Sequence, residues 1–263
     1  MDLYFKETGL GNAETIIFLH GGAMAGWMWD DQLKAFSDYH CIVPDLPEHG
    51  LSSDVKPFTI GNSAEIILDL IHEHTINGNA NLVGMSLGAQ IIVQILSKAP
   101  KLVDHAFISG TMIRSSSHSE TFLKLLNYAI KVYKPVKDTD FFINANMRTY
   151  NMPKNLFDKF KESTLHVNDD SLDRILTESM LFKLPNGLEK VKAPVLVMTG
   201  EKDYKIIKES ANDLIMSLPI SRGYMAPKVG HIWNLEDPEL FNWVLRRWIN
   251  NKSLKDALLP LMY

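Results

Sequence analysis

The chain has 263 residues, of which 46% are hydrophobic, 10% aromatic and 22% charged. This is the make-up of a folded globule of one large or two small domains, and it argues against a disordered, collagenous or disulfide-stapled protein. A single cysteine, Cys41, allows neither an intrachain disulfide nor a cysteine-based zinc site. A formal net charge of -4 disfavours nucleic acid and anionic membrane surfaces as partners, leaving a small-molecule substrate as the expectation.

In chain order, Met1 to Glu7 mixes acids with apolar residues and lacks the basic stretch and apolar run of a secretory signal. No apolar run approaches the roughly 18 residues that span a bilayer, so a cytoplasmic protein with no membrane partner is expected. Gly9 to Glu14 joins two short strand candidates, which predicts a hairpin turn rather than a dinucleotide loop opening a helix. Short apolar runs at Thr15 to Leu19, Cys41 to Pro44, Asn81 to Met85, Ala106 to Ser109 and Val195 to Thr199 read as strands, with a weaker one at Tyr224 to Ala226. Between them Trp27 to Phe36, Ser63 to Glu73, Leu87 to Ser97, Lys205 to Met216 and Pro238 to Ile249 have helical spacing. Cys41 lies in one of the strands and reads as a small buried apolar residue. The alternation predicts an α/β fold whose mostly parallel sheet is covered by helices on both faces.

From Thr111 to about Lys190 the rhythm stops. Helical patterns dominate there, with Tyr128, Tyr133, Phe141, Phe142, Tyr150, Phe157, Phe160 and Phe182 among them. The stretch predicts an inserted helical unit, with most of these rings forming a small core of its own.

The chemistry starts at Gly84-Met85-Ser86-Leu87-Gly88, which carries a serine from a strand into a helix. Glycines two before and two after it permit the sharp turn that lifts the hydroxyl out of the sheet. A serine needs a histidine to take its proton and a carboxylate to fix that histidine's tautomer. Thr199-Gly200-Glu201-Lys202-Asp203 puts carboxylates at a strand's carboxyl end, where catalytic groups gather in open α/β sheets. Gly230-His231 follows the weaker strand. The order Ser86, Asp203, His231 fits a serine, acid, histidine series. Upstream, His20-Gly21-Gly22-Ala23 ends the first strong strand, and backbone N–H groups of Gly22 and Leu87 suit an oxyanion hole.

These pieces, together with Trp27 and Asp45-Leu46-Pro47-Glu48-His49-Gly50-Leu51-Ser52, stand in the order and approximate spacing of one family. The chain resembles the α/β-hydrolase fold family, in its branch of small capped, carboxylesterase-like serine hydrolases. The resemblance implies an eight-stranded, mostly parallel sheet flanked by helices. It implies a core domain of residues 1–110 and 191–263 and a helical lid, or cap, of residues 111–190. It also implies Ser86, Asp203 and His231 as the catalytic triad, and it places the acid at the fourth position of Gly-x-x-Asp, which selects Asp203 over Glu201.

Other candidates read as structural. His20 and His49 organise turns near the site, Asp45 holds the loop after its strand, and His72-Glu73-His74 is a solvated helix end whose histidines point to different sides. No metal site, nicotinamide, flavin or other cofactor is implied. The expected activity is hydrolysis of a small or medium, largely apolar ester through an acyl-enzyme on Ser86. A second reading keeps the triad for carbon-carbon bond cleavage or for an elimination that makes a menaquinone precursor. Such anionic substrates would call for Arg114, Arg148 or Arg174, while Gln90 stands on the elbow helix where a basic residue would help most. A third reading is a ligand receptor that retains the fold.

Overall fold

The computed structural model describes residues 3–113, 120–254 and 257–261. Eight strands form one sheet: β1 (Phe5–Thr8), β2 (Thr15–Leu19), β3 (His40–Pro44), β4 (Ala80–Met85), β5 (Val103–Ser109), β6 (Val195–Gly200), β7 (Ser221–Ala226) and β8 (Leu259–Pro260). Their order is β1-β3-β2-β4-β5-β6-β7-β8, with β1 and β8 antiparallel to their neighbours and every other pair parallel. The expected eight-stranded, mostly parallel sheet is thus present. The Gly9 to Glu14 turn is not a hairpin, because β1 pairs with β3 instead of β2. Both edges of β2 are already taken, by β3 and β4 in parallel.

Every residue of β2, β3, β4 and β6 is buried, because the two faces carry separate apolar layers. Side chains alternate across a strand, so Ile17 and Leu19 enter one core and Ile16 and Phe18 the other. The first layer packs α2 (Ile60–His74), α3 (Leu87–Lys98) and α8 (Lys205–Ser217). The second packs α9 (Trp233–Glu236) and α10 (Pro238–Ile249), the latter with Phe241, Val244, Leu245 and Trp248 at helical spacing, against the sheet. The segment expected as one helix from Trp27 to Phe36 is a 3₁₀ turn, Gly26–Trp29, followed by the short α1 (Asp30–Ala35).

Among the described residues four α-helices lie between β5 and β6, α4 (Glu120–Tyr133), α5 (Asp140–Thr149), α6 (Phe157–His166) and α7 (Asp169–Met180). Thr139 caps α5, and Asn168 caps α7 by accepting from the N–H groups of Asp170 and Ser171. The insert's rings do not make a core of their own. Phe182 joins the first layer, Phe160 joins the second beside Ile143 and Met147, and Phe141 is exposed. Helices this short gain most of their stability by burying a face against something larger. Among the described residues no helix is long and apolar enough to cross a membrane.

Candidate active site

Ser86 sits between β4 and α3 at φ 53, ψ -108, a left-handed conformation that side chains seldom adopt. Its N–H donates to Ser109 O at 2.8 Å, which ties the turn to β5. The flanking glycines are required by contact. A Cβ at Gly84 would lie 2.7 Å from the backbone of Gly88 and Ala89, and one at Gly88 would lie 2.3 Å from Leu19 O. Ordinary side chains would force strand and helix apart, and the hydroxyl with them.

The loops after β6 and β7 bring the other two groups together. The Asp203 side chain is fully buried, and its Oδ1 and Oδ2 lie 3.0 and 3.1 Å from His231 Nδ1. Asp203 Oδ1 also accepts the N–H of Tyr204 at 2.8 Å. A proton on Nδ1 then leaves Nε2 as the free acceptor. Glu201 serves elsewhere, its Oε2 accepting the N–H of Lys228 at 2.7 Å. Glu236 accepts the N–H of Gly230 at 2.8 Å, so two carboxylates hold the loop that carries His231. Gly110 completes the setting at φ +63, where a Cβ would lie 2.9 Å from the imidazole Cε1. Neither Gly110 nor Glu236 stood out in the sequence, although a glycine directly after a buried strand at the carboxyl edge is a readable signal.

Gly22 lies beside Leu87, since a Cβ on it would be 4.0 Å from Leu87 Cβ. Leu87 opens α3, where a helix leaves its first N–H groups unpaired. His20 and His49 support this edge. His20 Nδ1 donates to Gly21 O at 2.8 Å, and Nε2 accepts the N–H of Leu46 at 2.9 Å, which leaves it no free lone pair. Burial pushes His20 down to about 4, and burial together with His20 pushes His49 down to about 3. Asp45 holds its loop by accepting from the N–H groups of Gly26 and Leu51 at 2.6 and 2.8 Å. Cys41 is buried and its thiol is pushed up to about 12 by burial, so it offers no thiolate nucleophile.

Ser86, Gly22, Leu87 and His231 line one cavity of about 620 Å³. Leu126, Ile130, Leu172, Ile175 and Leu176 of the insert form its roof, and Met24, Met28, Met85, Met112 and Met180 fill its walls. No lysine, arginine, aspartate or glutamate lines it among the described residues. Arg174 turns away to Glu48, its Nε lying 3.1 and 3.0 Å and its Nη2 2.5 Å from the carboxylate of a fully buried side chain. Arg148 is exposed and lies outside the lining, and Arg114 falls outside the described residues. Gln90 Nε2 donates to Met112 O and Ser179 O, joining the elbow helix to α7. Among the described residues no cluster of three or more His, Cys, Asp or Glu side chains could hold a metal ion.

An open α/β sheet with a serine on a strand-to-helix turn, and an acid–histidine pair on two later loops, defines a hydrolase architecture. The family model described as the alpha/beta hydrolase family matches residues 16–242, and the chain belongs to that family. Among its relatives is an AB hydrolase superfamily protein of Gibberella zeae, 24% identical over 97% of this chain and 86% of that protein. A pimeloyl-(acyl-carrier protein) methyl ester esterase of Nitrosomonas europaea is 23% identical over 88% of this chain and 94% of its own length. An esterase structure from Exiguobacterium antarcticum superposes with a TM-score of 0.80 at 19% identity, covering 94% of this chain and 95% of that one.

Proposed function

We propose that this hydrolase cleaves small or medium, largely apolar esters by a serine mechanism. Ser86 Oγ attacks the ester carbonyl carbon as its proton passes to His231 Nε2, while Asp203 holds Nδ1–H. The carbonyl oxygen becomes an oxyanion held by the N–H groups of Gly22 and Leu87. Collapse expels the alcohol, which takes the proton from His231 and leaves an acyl group on Ser86. Water then gives a proton to His231 and attacks the acyl carbon. Ser86 recovers its proton as the acid departs. Helices α4 to α7 act as the lid over the site.

The observation that carries this reading is the acid–histidine pair, whose free ring nitrogen belongs to an imidazole that lines one cavity with Ser86. The esterases among the similar proteins support it. Cleavage of anionic substrates gains no support from the lining, because Arg174 is engaged by Glu48 and Arg148 stands outside. A carboxylate there would lose its hydration without a partner. The test is kcat/KM for methyl butanoate against the methyl half-ester of a dicarboxylic acid of similar length. The neutral ester should be preferred by at least about tenfold. A preference for the half-ester that Arg114 or Arg148 substitution removes would turn the reading to the anionic class.

A further inference from the structure

The cavity wall is mostly apolar, and beside Gln90, Asn146 and Ser179 its neutral polar side chains include three tyrosines. Tyr204 comes directly after Asp203, Tyr150 ends α5 and Tyr133 ends α4. The Tyr150 ring lies 6.0 Å from the His231 imidazole at a tilt of 38°. Tyr133 is braced edge-on by Phe142 at 5.0 Å. Neither the Tyr133 nor the Tyr150 hydroxyl has a hydrogen-bond partner among the described residues. Burial, and next the Tyr150 phenol, pushes Tyr133 up to about 12; burial, then Tyr204 and Asp203, raises Tyr150. Both phenols are therefore neutral donors at ordinary pH.

A phenol covered by hydrocarbon gives up its water and gains nothing in return, so two of them facing a mostly apolar cavity select against a wholly hydrocarbon ligand. Their position says which part of the ester they meet. In the reaction proposed above, His231 hands its proton to the departing alcohol, and Tyr150 flanks that imidazole. The carbonyl oxygen would sit at Gly22 and Leu87, away from that leaving group and near Ile175, whose Cγ2 would be 3.8 Å from a Cβ on Gly22.

We infer that Tyr150 and Tyr133 form a subsite for an uncharged oxygen, a hydroxyl or an ether, on the alcohol portion of the ester. The enzyme then takes esters of diols or polyols in preference to those of plain alkanols. This inference rests on the serine hydrolase reading. The absence of lysine, arginine, aspartate and glutamate from the lining among the described residues separates this subsite from one for a phosphorylated or carboxylated alcohol.

The test compares 2-hydroxyethyl butanoate with propyl butanoate, which have the same number of heavy atoms. Their kcat/KM ratio is measured in the parent, Tyr150→Phe, Tyr133→Phe and, as a control on the exposed face of α4, Tyr128→Phe. Intrinsic leaving-group reactivity cancels when ratios are compared between variants. The parent should favour the hydroxyethyl ester by about three- to tenfold, the worth of one neutral hydrogen bond. Tyr150→Phe should reverse the ratio toward propyl, which an apolar site prefers by about fourfold for its extra methyl. Tyr133→Phe should move the ratio the same way and Tyr128→Phe should leave it alone. A parent that prefers propyl, or a hydroxyethyl preference that survives both Phe variants, overturns the subsite. Absence of turnover of either ester with Ser86 still reactive toward a fluorophosphonate overturns the subsite alone. The same absence with Ser86 unreactive overturns the hydrolase reading with it.

Discussion

The carboxyl edge of the sheet and the helical insert face each other across one cavity, and they are held in place by different physics. At the sheet edge, position is set by backbone contact. Gly84, Gly88 and Gly110 stand where a Cβ would collide, and backbone N–H groups donating to Asp45, Glu201, Glu236 and His20 fix the loops. The insert is tied across the cavity by a few side-chain bonds. Arg174 reaches Glu48, Lys159 reaches Asp30 at 2.7 Å, Glu178 accepts the N–H of Ile60 at 3.0 Å, and Trp27 donates to Ser163 at 2.7 Å. The first arrangement fixes reacting groups closely, and the second shapes volume and polarity and tolerates adjustment. Chemistry should therefore fail abruptly when the edge is altered, and specificity should shift gradually when the insert is.

The largest effect is expected at the edge. Asp203→Asn keeps the shape but replaces one carboxylate oxygen with an N–H donor and removes the charge, which favours the wrong His231 tautomer, and turnover should fall by about 10⁴, the scale known for serine proteases. Glu201→Gln should stay within about tenfold of the parent, because it weakens one loop contact. Steady-state kinetics on a neutral ester compare them, and a dead Glu201→Gln beside an active Asp203→Asn would reassign the acid.

The buried histidines give the edge an acid limit. Their folded values, about 4 and about 3, lie below the 6.5 of the unfolded chain. The unfolded state thus binds protons that the folded state refuses, so this stability is complete above about pH 6.5 and is lost as pH falls toward 4. Together they should add about 2 to 3 kcal/mol per pH unit to the slope near pH 5. Urea unfolding of the parent and of His49→Gln from pH 7 to 4.5 checks it: the variant should lose about half of that added slope, and an equal slope in both would contradict the assignment.

On the insert side, Arg174→Met strands the buried Glu48 carboxylate. The cost should be about 2 to 3 kcal/mol, below that of a fully buried pair because the Arg174 side chain is 37% exposed. Adding Glu48→Gln should recover most of it in urea titrations. Equal stability of Arg174→Met and parent would mean that this tie contributes nothing.

The smallest effect concerns volume. Each methylene added to the acyl chain of a methyl ester should raise kcat/KM about two- to fourfold until the cavity is full, then lower it. A flat series from acetate to octanoate would mean that the acyl chain does not enter beneath the roof.

The same contrast explains what could be read from the sequence. Strands buried on both faces are continuous apolar runs, so β2, β4 and β6 were plain. A sharp turn demands glycines at fixed offsets, so Ser86 stood out. The antiparallel edge strands were harder: β1 pairs with β3, and nothing local in Gly9 to Glu14 encodes a partner some thirty residues away. The insert was legible as helical and no further. The tie between Arg174 and Glu48 spans 126 positions, and the sequence offered that arginine equally well as a substrate ligand. Tyr133 and Tyr150 likewise differ from exposed Tyr128 only through the way the helices pack.

The central claim is that Ser86 alone is the activated nucleophile. Parent and Ser86→Ala protein are treated with a fluorophosphonate and digested for peptide mass spectrometry, with circular dichroism to compare their folds. The account predicts stoichiometric modification of the peptide that contains Ser86, loss of ester turnover in step with it, and an unmodified, folded Ser86→Ala variant. Labelling of another serine in both proteins, or undiminished turnover by Ser86→Ala, would contradict it.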